Sequence, residues 1–312
     1  MFLEKIWPKL PYIIGEVPRD HSVTDDGMIS WYNCGSIEYD WFHQFFKNNI
    51  KNPKQYNFFS VFGSKMFCLR HRFPHSIFFS GETVHTHKIL EYRDLLLDRV
   101  DLSMSFDKID APNYIRFPNW MPNMFAPIVD KDYIKRRIDE INAARNKQTY
   151  EAVLIASHDK HKTRTTIYNG VKDILDIKCA GRWNNNTTDL WDKYNNDKQA
   201  YVNEFKFNIC PENRNVEDYV TEKIFDAFSA GSIPIYYGSN NEPEPGIINQ
   251  NAVLFWDVKH RKNNEEVREK IQELNSNSKL YAEFIEQEKL TDYAVDYVYD
   301  TFIKLSKKLN EI

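Results

Sequence analysis

The stretch that decides the fold is FKFNICPENRNVEDYVTEKIFDAFSAGSIPIYYG, residues 205–238. Apolar and polar side chains alternate over 205–209, and 233–237 are almost entirely apolar, so each end of the stretch predicts a short strand. The apolar residues that recur at helical spacing between them are Val220, Ile224, Ala227 and Phe228. A strand, a helix and a second strand in this order predict a right-handed parallel βαβ unit.

The polar residues of this stretch gather between the first strand and the body of the helix. We predict Asp218 as the N-cap of the helix and Gly231 as the left-handed residue that ends it. Because ligands of open α/β sheets bind outside the carboxyl ends of the strands, we expect a binding site here. Its candidate side chains are Glu212, Asn213, Tyr219, Glu222 and Lys223.

Length and composition predict an ordinary soluble protein of two domains. The chain has 312 residues, is 42% hydrophobic and carries a formal charge of -4 at pH 7. Without an excess of basic residues, nothing argues for nucleic acid or an acidic membrane surface as a partner. The cysteines form no CxxC pair and are predicted to be buried free thiols of a reducing compartment, rather than metal ligands or disulfides. They are Cys34, Cys68, Cys179 and Cys210.

The first half of the chain predicts an α/β domain with irregular loops. Buried strands are predicted at 11–17, 56–63, 75–82 and 100–107. Helical patterns cover 37–48 and 89–98, and the prolines at 118, 122 and 127 predict a loop.

The second half predicts more βαβ structure. A charged helix is predicted at 131–147, strands at 152–157 and 177–181, a polar surface loop at 182–199, and helices at 265–274, 279–289 and 293–309. With the strands of 205–238 this makes at least four parallel strands. The predicted domains are residues 1–147 and 148–290, with a terminal helix, 291–312, that packs back on the first domain.

Two cations are predicted at helix starts, where backbone N–H groups and the helix dipole favour an anion. Arg164 opens a helix after the strand at 152–157, and Lys223 lies in the first turn of the helix of 205–238. Since the dipole disfavours a lysine there, a phosphate ligand is one explanation. The alternative is an ion pair of Lys223 with Glu222 or Asp226 on a solvated helix.

Several common ligand motifs are missing from the sequence. It contains no GxGxxG turn, no GxxxxGK[ST] loop and no Asp-x-Asp motif. The histidine pairs His85 with His87 and His158 with His161 lie in predicted loops without metal-ligand spacing, so no metal site is predicted. Any phosphate site is therefore built from side chains and helix ends.

Glu82 is the candidate for proton transfer. It follows the apolar strand at 75–82 after the permissive Ser80-Gly81 turn, which is expected to place its carboxylate in a cleft, beside apolar walls. A carboxylate in such a place is suited to act as a general base on a hydroxyl. The alternative is a solvated residue at a strand end.

These residues together resemble the α1,3/α1,4-fucosyltransferases of glycosyltransferase family 10. The signature of that family runs Glu-Asn, a short loop, Asp-Tyr-Val/Ile-Thr-Glu-Lys, apolar residues, Gly-x-Val/Ile-Pro-Val/Ile and Gly, and every fixed position is present in 205–238. FFSGE at 78–82 and SHDKHKTRTTIYNGV at 157–171 also resemble family segments. The sequence departs from the family at Thr83, Lys162 and Thr163.

The resemblance implies a role for each candidate residue. Glu82 corresponds to the catalytic base, and Glu222 is expected to be a second catalytic residue. Arg164 and Lys223 are expected to neutralise the departing GDP. The remaining donor contacts implied are Tyr219 and Glu222 to ribose and fucose hydroxyls, and Asn213 with Glu212 to the phosphate or sugar.

The resemblance also implies a GT-B fold, in which two Rossmann-like domains face each other across a cleft, with GDP-fucose on the second and the acceptor on the first. The expected reaction is inverting transfer of L-fucose from GDP-β-L-fucose to an oligosaccharide or glycolipid, with α1,3 linkage to an N-acetylglucosamine- or glucose-containing glycan. No cofactor is required, and a divalent metal at most stimulates. The alternatives are a transferase of another GDP-sugar and a non-catalytic nucleotide- or glycan-binding relative.

The compartment is predicted from what the sequence lacks. It has no run of 18 or more apolar residues and no recognisable signal peptide at its N-terminus. Animal and plant members of the family resemble Golgi proteins with an N-terminal membrane anchor. The contrast with them suggests a bacterial cytoplasmic enzyme that fucosylates lipopolysaccharide or capsule glycans. The basic segment KLSKKL at 304–309 allows at most peripheral contact with the inner membrane.

Overall fold

A computed structural model describes residues 10–34, 40–86, 90–259 and 264–312. The chain divides into two compact units. The first comprises Met1–Asp130 with Val298–Ile312, and the second comprises Lys131–Tyr297. Each unit contains one sheet of mainly or entirely parallel strands with helices along it.

The sheet of the first unit has six strands in sequential order. They are β1 (His21–Val23), β2 (Ile29–Tyr32), β3 (Tyr56–Phe59), β4 (Ser76–Phe79), β5 (Leu102–Ser105) and β6 (Tyr114–Arg116). Only β1, at one edge, runs antiparallel to its neighbour. Every residue of β3, β4 and β5 is buried, as expected for parallel strands covered on both faces. The strands predicted at 56–63, 75–82 and 100–107 are therefore confirmed.

The helices of the first unit are α1 (Leu10–Ile13), α2 (Asp40–Asn49), α3 (Lys65–Arg70) and α4 (Trp120–Met124). Helix α2 confirms the prediction at 37–48 from residue 40 onward, because 37–39 lie outside the described residues. Three phenylalanines of α2 are buried against the sheet: Phe42, Phe45 and Phe46.

Three predictions for the first unit are wrong. The apolar run at 11–17 is the helix α1 followed by a turn at Gly15 (φ 75°), and both Ile13 and Val17 are exposed. The pattern at 89–98 gives only a 3-10 turn, because Leu95 and Leu96 adopt φ of 51° and 53° as they turn into the core. The loop predicted from the prolines at 118, 122 and 127 contains the helix α4 and directly follows β6.

The sheet of the second unit has five parallel strands in the order β11-β10-β9-β7-β8. They are β7 (Tyr150–Leu154), β8 (Ile177–Cys179), β9 (Phe205–Ile209), β10 (Ile233–Tyr236) and β11 (Leu254–Phe255). The predicted parallel βαβ unit at 205–238 and the count of at least four strands are confirmed.

The helices of the second unit include several that the sequence predicts. They are α5 (Lys131–Ala143), α6 (Thr163–Val171), α7 (Asp189–Asp192), α8 (Lys198–Val202), α9 (Glu222–Ser229), α10 (Glu265–Ser276) and α11 (Ser278–Ile285). The prediction of a loop at 182–199 is wrong in part, because Leu190 of α7 and Val202 of α8 are buried against the sheet.

The start of α9 differs from the prediction, whereas its end agrees. Thr221 is the N-cap, and Asp218 lies in the preceding loop with φ 59°, so Tyr219 and Val220 come before the helix. Gly231 follows the helix with φ 71°, as predicted. A Cβ at Gly231 would lie 2.5 Å from the backbone of Arg145, so close contact also requires glycine there.

The last helix, α12 (Tyr293–Glu311), begins in the second unit and continues into the first. Phe302 is fully buried against Trp41 and Phe45 of α2. The Tyr56 hydroxyl donates a hydrogen bond to the carbonyl of Leu309 at 2.9 Å. The end of the chain is therefore part of the core of the first unit.

The four cysteines are buried free thiols, as predicted. Within the described ranges, no helix combines the length and the apolar character that crossing a membrane requires.

Candidate active site

A cavity of about 510 Å³ opens at the carboxyl edge of the second sheet. The residues that follow β7 and β9 form its rim, and α6, α8 and α9 contribute side chains to its wall. Four of the predicted site residues lie together in this wall: Arg164, Asn213, Glu222 and Lys223. These four residues therefore lie at the carboxyl edge of the sheet, where the sequence analysis places them.

Lys223 forms a buried ion pair beneath this wall. Its Nζ donates to Glu212 Oε2 at 3.0 Å and to Thr221 Oγ1 at 2.7 Å. Its side chain is 22% exposed and that of Glu212 is 0% exposed. Burial alone lowers the pKa of Lys223, but the nearby Glu212 and Glu222 carboxylates outweigh it, so the pKa lies above its ordinary value. Lys223 is therefore cationic and fixed in place.

This pairing differs from the ion pair that was the alternative explanation for Lys223. The main partner is neither Glu222, whose oxygen is 3.8 Å away, nor Asp226, but the loop residue Glu212. Lys223 therefore is not a solvated helix-surface lysine. Its charge is already balanced by one carboxylate before any ligand binds.

Glu212 lies below the cavity, where it organises the start of α9. It accepts the backbone N–H of Thr221 at 2.8 Å and the Thr221 hydroxyl at 2.8 and 3.0 Å. The Tyr236 hydroxyl donates to it at 3.4 Å. A Cβ at Gly238 would lie 2.6 Å from Glu212 Cγ, so glycine makes room for this carboxylate. Glu212, predicted as a donor contact, is not among the residues that line the cavity.

Arg164 joins two loops at the cavity rim. It is 8% exposed, and its guanidinium donates to the His158 carbonyl and to Asn213 Oδ1, both at 2.9 Å. One hydrogen bond thus fixes the loop after β7 and the other fixes the loop after β9. The remaining guanidinium donors are held in a rigid fork, the arrangement that suits phosphate oxygens.

The start of α6 is capped by its own loop. Asp159 accepts the backbone N–H groups of Arg164 at 3.1 Å and of Thr165 at 2.7 Å, and also the Thr165 hydroxyl. These amides were expected to be open to an anion, and that expectation is wrong because a carboxylate of the chain occupies them. The cationic side chain of Arg164, not the helix start, is the feature that favours an anion here.

Tyr219 is 1% exposed and does not line the cavity. Because α9 begins only at Glu222, Tyr219 belongs to the preceding loop, with its side chain in the interior. Glu222 lies at the cavity with 33% of its side chain exposed. The predicted contact with sugar hydroxyls thus suits the position of Glu222 better than that of Tyr219.

The cavity wall also contains residues that the sequence analysis did not assign to the site. Asp226 lies one turn after Glu222 on α9, and Lys198 and Gln199 come from α8. Burial, together with Glu222, raises the pKa of Asp226 to about 7. Its spacing of four residues from Glu222 is the one sequence signal that indicates a shared face. The polar run at 182–199 contains no residue spacing that predicts the helix α8 or its place in the cavity wall.

Glu82 lies in the first unit, three residues after the end of β4. Its side chain is exposed, so the expectation of apolar walls is wrong. The turn before it is well fixed: the buried Ser80 hydroxyl donates to the Glu82 carbonyl at 2.6 Å, and a Cβ at Gly81 would lie 2.8 Å from Asn119 Oδ1. Close by in sequence, a hydrogen bond of 2.6 Å joins His85 Nε2 and Asp107 Oδ1.

The histidines that the structure describes belong to no metal site. Within the described residues, no group of three or more His, Cys, Asp or Glu side chains is placed to hold a metal ion. His87 lies outside those residues. His158 contributes its backbone carbonyl to Arg164 rather than its ring.

Comparison with known protein families shows to which family the chain belongs. The profile described as glycosyltransferase family 10 (fucosyltransferase) C-term matches residues 144–308, more than half of the chain. The profile described as the N-terminal domain of alpha-(1,3)-fucosyltransferase FucT matches residues 33–122. The chain belongs to glycosyltransferase family 10.

Curated relatives of this family 10 chain share part of its length. It is 30% identical over 136 residues to alpha-(1,3)-fucosyltransferase FucT of Helicobacter pylori, an alignment that covers 43% of this chain and 26% of the relative. It is 35% identical over 83 residues to GDP-fucose protein O-fucosyltransferase 3 of Xenopus tropicalis, covering 27% and 17%. It is 26% identical over 145 residues to human 4-galactosyl-N-acetylglucosaminide 3-alpha-L-fucosyltransferase 9, covering 46% and 37%. These matches thus span well under half of each curated relative.

Solved structures match the family 10 chain over much more of its length. One, titled as alpha1,3-fucosyltransferase, aligns with a TM-score of 0.59 at 18% identity and covers 97% of both chains. Another, titled as that enzyme with GDP-fucose, aligns with a TM-score of 0.54 at 20% identity and covers 84% of this chain and 79% of the other. The predicted GT-B fold class, with its two Rossmann-like halves, is confirmed.

Proposed function

We propose that this chain is an inverting α1,3-fucosyltransferase that moves L-fucose from GDP-β-L-fucose to a hydroxyl of an N-acetylglucosamine- or glucose-containing glycan. The observation that carries the proposal is the cavity wall in which Arg164, Asn213, Glu222 and Lys223 lie together. Asn213, Glu222 and Lys223 occupy positions of the family signature, and Arg164 lies in the segment 157–171 that also resembles the family. In the cavity the four residues combine two fixed cations with two polar groups. Family membership supports the same reaction.

The cations act on the leaving group in this proposal. As the bond between the fucose anomeric carbon and the phosphate oxygen breaks, negative charge grows on the departing GDP. Arg164 and Lys223 are held by hydrogen bonds before the ligand arrives, so they stabilise that charge without reorganising. Such fixed cations act more on the transition state than on the ground state. No cofactor is needed, and a divalent metal ion at most stimulates.

Glu82 removes the proton from the acceptor hydroxyl in this proposal. The oxygen then attacks the anomeric carbon on the face opposite to the phosphate, which inverts the configuration in a single displacement. The fixed turn at Ser80 and Gly81 supports this role because it limits how far the backbone of Glu82 can move. The first unit, Met1–Asp130 with Val298–Ile312, accordingly binds the acceptor, and the second unit, Lys131–Tyr297, binds the donor.

In the proposed setting, the enzyme acts in the bacterial cytoplasm on lipopolysaccharide or capsule glycans, with at most peripheral contact with the inner membrane. The acceptor contributes a sugar hydroxyl. The similarity to a protein O-fucosyltransferase makes a serine or threonine hydroxyl the competing acceptor class that an experiment must include.

Calorimetric titration and a donor assay test the proposal. We expect GDP and GDP-fucose to bind more tightly than UDP, ADP and their sugars, and GDP-fucose to be consumed faster than GDP-mannose when an acceptor panel is supplied. The panel contains N-acetyllactosamine, lactose and a serine-containing peptide, with mass detection of the product. Equal affinity for all nucleotides would refute a GDP-sugar donor. Binding of GDP-fucose without turnover on any acceptor would favour a non-catalytic relative.

A further inference from the structure

Asp226 is a cavity residue that the proposed mechanism does not use. It lies on the same helix as Glu222 and Lys223 and lines the same cavity. One turn of helix, about 5.4 Å, separates it from the end where the phosphate contacts are proposed. Asp226 is therefore placed farther along the groove than the phosphate group of a bound nucleotide.

The surroundings of Asp226 leave its carboxylate open to a ligand. No residue of the described ranges donates a hydrogen bond to it. The charged groups that act on it are Glu222 on its own helix, Lys223 beside Glu222, and Lys198 on α8. A largely desolvated carboxylate without donors is costly for the folded protein, whereas a ligand that supplies N–H groups removes that cost.

We infer that Asp226 recognises the guanine base of the donor nucleotide by accepting hydrogen bonds from its N1–H and 2-amino groups. This inference rests on the proposed function, since it requires a GDP donor in the cavity. A ribose separates a base from its phosphate, so a diphosphate at Arg164 and Lys223 directs the base away from the end of the helix and along the groove.

Helix α8, which packs beside α9, carries groups that fit the remaining edge of guanine. Lys198 and Gln199 of α8 carry N–H donors, and guanine presents its O6 as an acceptor beside N1–H. The buried Val202 supplies an apolar contact for the base. Adenine offers an acceptor at N1 in place of the donor, so a carboxylate at Asp226 rejects it. Asp226 and Lys198 together therefore select guanine.

Exchange of the carboxylate for an amide tests the inference. Xanthine carries a carbonyl oxygen where guanine carries the 2-amino group, so it needs a donor where guanine needs an acceptor. We expect Asp226→Asn to weaken GDP binding about 10- to 100-fold, the effect of losing a charge-assisted hydrogen bond, and to strengthen binding of xanthosine diphosphate. Calorimetry with GDP, xanthosine diphosphate and ADP measures this. Asp192→Asn, at an exposed carboxylate of α7, is the matched control and should leave all three affinities unchanged.

A second variant keeps the inference testable if Asp226→Asn folds poorly. Lys198→Met removes the donor to O6, so it should weaken GDP without improving xanthosine diphosphate. Unchanged GDP affinity in both variants overturns the inference, as does an equal loss for GDP and xanthosine diphosphate with a lowered melting temperature in Asp226→Asn. If the unaltered protein shows no preference for GDP over ADP and UDP, the proposed function itself fails. If it prefers GDP and the variants do not alter that preference, only the role of Asp226 fails.

Discussion

Lys223 reaches Glu212 across 3.0 Å at the floor of the cavity, and Glu212 in turn holds the N-cap residue of α9. The cation proposed to face the departing phosphate is thus tied to the carboxylate that fixes the helix carrying it. Any change at Lys223 therefore alters both binding and folding. The two effects are separable only by changing both partners.

The first prediction concerns this pair. Lys223→Met leaves Glu212 as a buried carboxylate without its cation, and we expect the free energy of unfolding to fall by about 3 kcal/mol, the low end for breaking a buried pair because Lys223 is partly exposed. Adding Glu212→Gln removes the uncompensated charge and should restore most of that stability but not GDP binding. Urea unfolding and calorimetric titration on both variants measure the two effects. A single variant as stable as the unaltered protein would show that the pair does not support the fold.

The second prediction concerns Arg164. Arg164→Lys keeps the charge but loses the two-pronged contact with the His158 carbonyl and Asn213, so we expect GDP affinity to fall about tenfold. Arg136→Lys, at an exposed position of α5, serves as the control and should bind GDP normally. Titration at two salt concentrations provides the measurement. If Arg164→Lys binds as the unaltered protein does, the geometry of the guanidinium has no part in donor binding.

The third prediction concerns Glu82. Because its side chain is exposed, Glu82→Gln should leave the melting temperature unchanged. As the proposed general base it should lower kcat by about 10²- to 10⁴-fold, with the GDP-fucose KM little altered. Glu91→Gln, a second exposed glutamate of the first unit, is the control for a general effect of lost charge. Retained turnover in Glu82→Gln would reassign the base, and the His85–Asp107 pair would be the next group to change.

The fourth prediction concerns pH. The pKa of Asp226 is raised to about 7 by burial and by Glu222, so near pH 7 about half of the unliganded protein carries a protonated Asp226. Guanine N–H groups bind the ionised form more strongly than the protonated form, so GDP affinity should rise between about pH 6 and 8 and level off above. Asp226→Asn should remove that rise. Titrations across this range that show no difference between the two proteins would contradict the assignment.

The same pKa has a consequence for stability. Because the pKa of Asp226 is higher in the folded protein than its ordinary value of 3.8, the folded state binds a proton more tightly than the unfolded state. The contribution of Asp226 to stability is therefore full below about pH 4 and is lost as the pH rises through about 7. Asp226→Asn should raise the melting temperature more at pH 8 than at pH 5, which scanning calorimetry measures.

The sequence predicts well those elements whose pattern is complete within a few residues. Strands such as β4 and β9 and the helix α9 bury continuous or periodic apolar residues, and Gly231 ends its helix as expected. The apolar run at 11–17 fails because nothing in the sequence tells whether a sheet has room for another strand. Asp218 fails as an N-cap because Glu212, nine residues before Thr221, supplies the carboxylate at the helix start instead.

In the candidate site, too, the sequence predicts the features that a local pattern records and not those that depend on packing. The motif predicts which residues come together, and Arg164, Asn213, Glu222 and Lys223 do so in one cavity wall. The motif does not predict how deeply each of its side chains is buried. Glu212 and Tyr219 occupy the interior because side-chain burial depends on where α9 begins and on the space left by Gly238. The contribution of α8 depends on its packing beside α9, which no local pattern records.

The course of α12 also bears on how the protein is made. The first unit lacks Phe302, Leu305 and Leu309 from its core until the ribosome has added those residues. In the sequence, the second unit lies between the two segments of the first unit, so all of its residues are synthesised earlier. We therefore expect the core of the second unit to be complete before that of the first during synthesis. Synthesis of residues 1–130 alone yields a polypeptide whose apolar face against α12 stays uncovered.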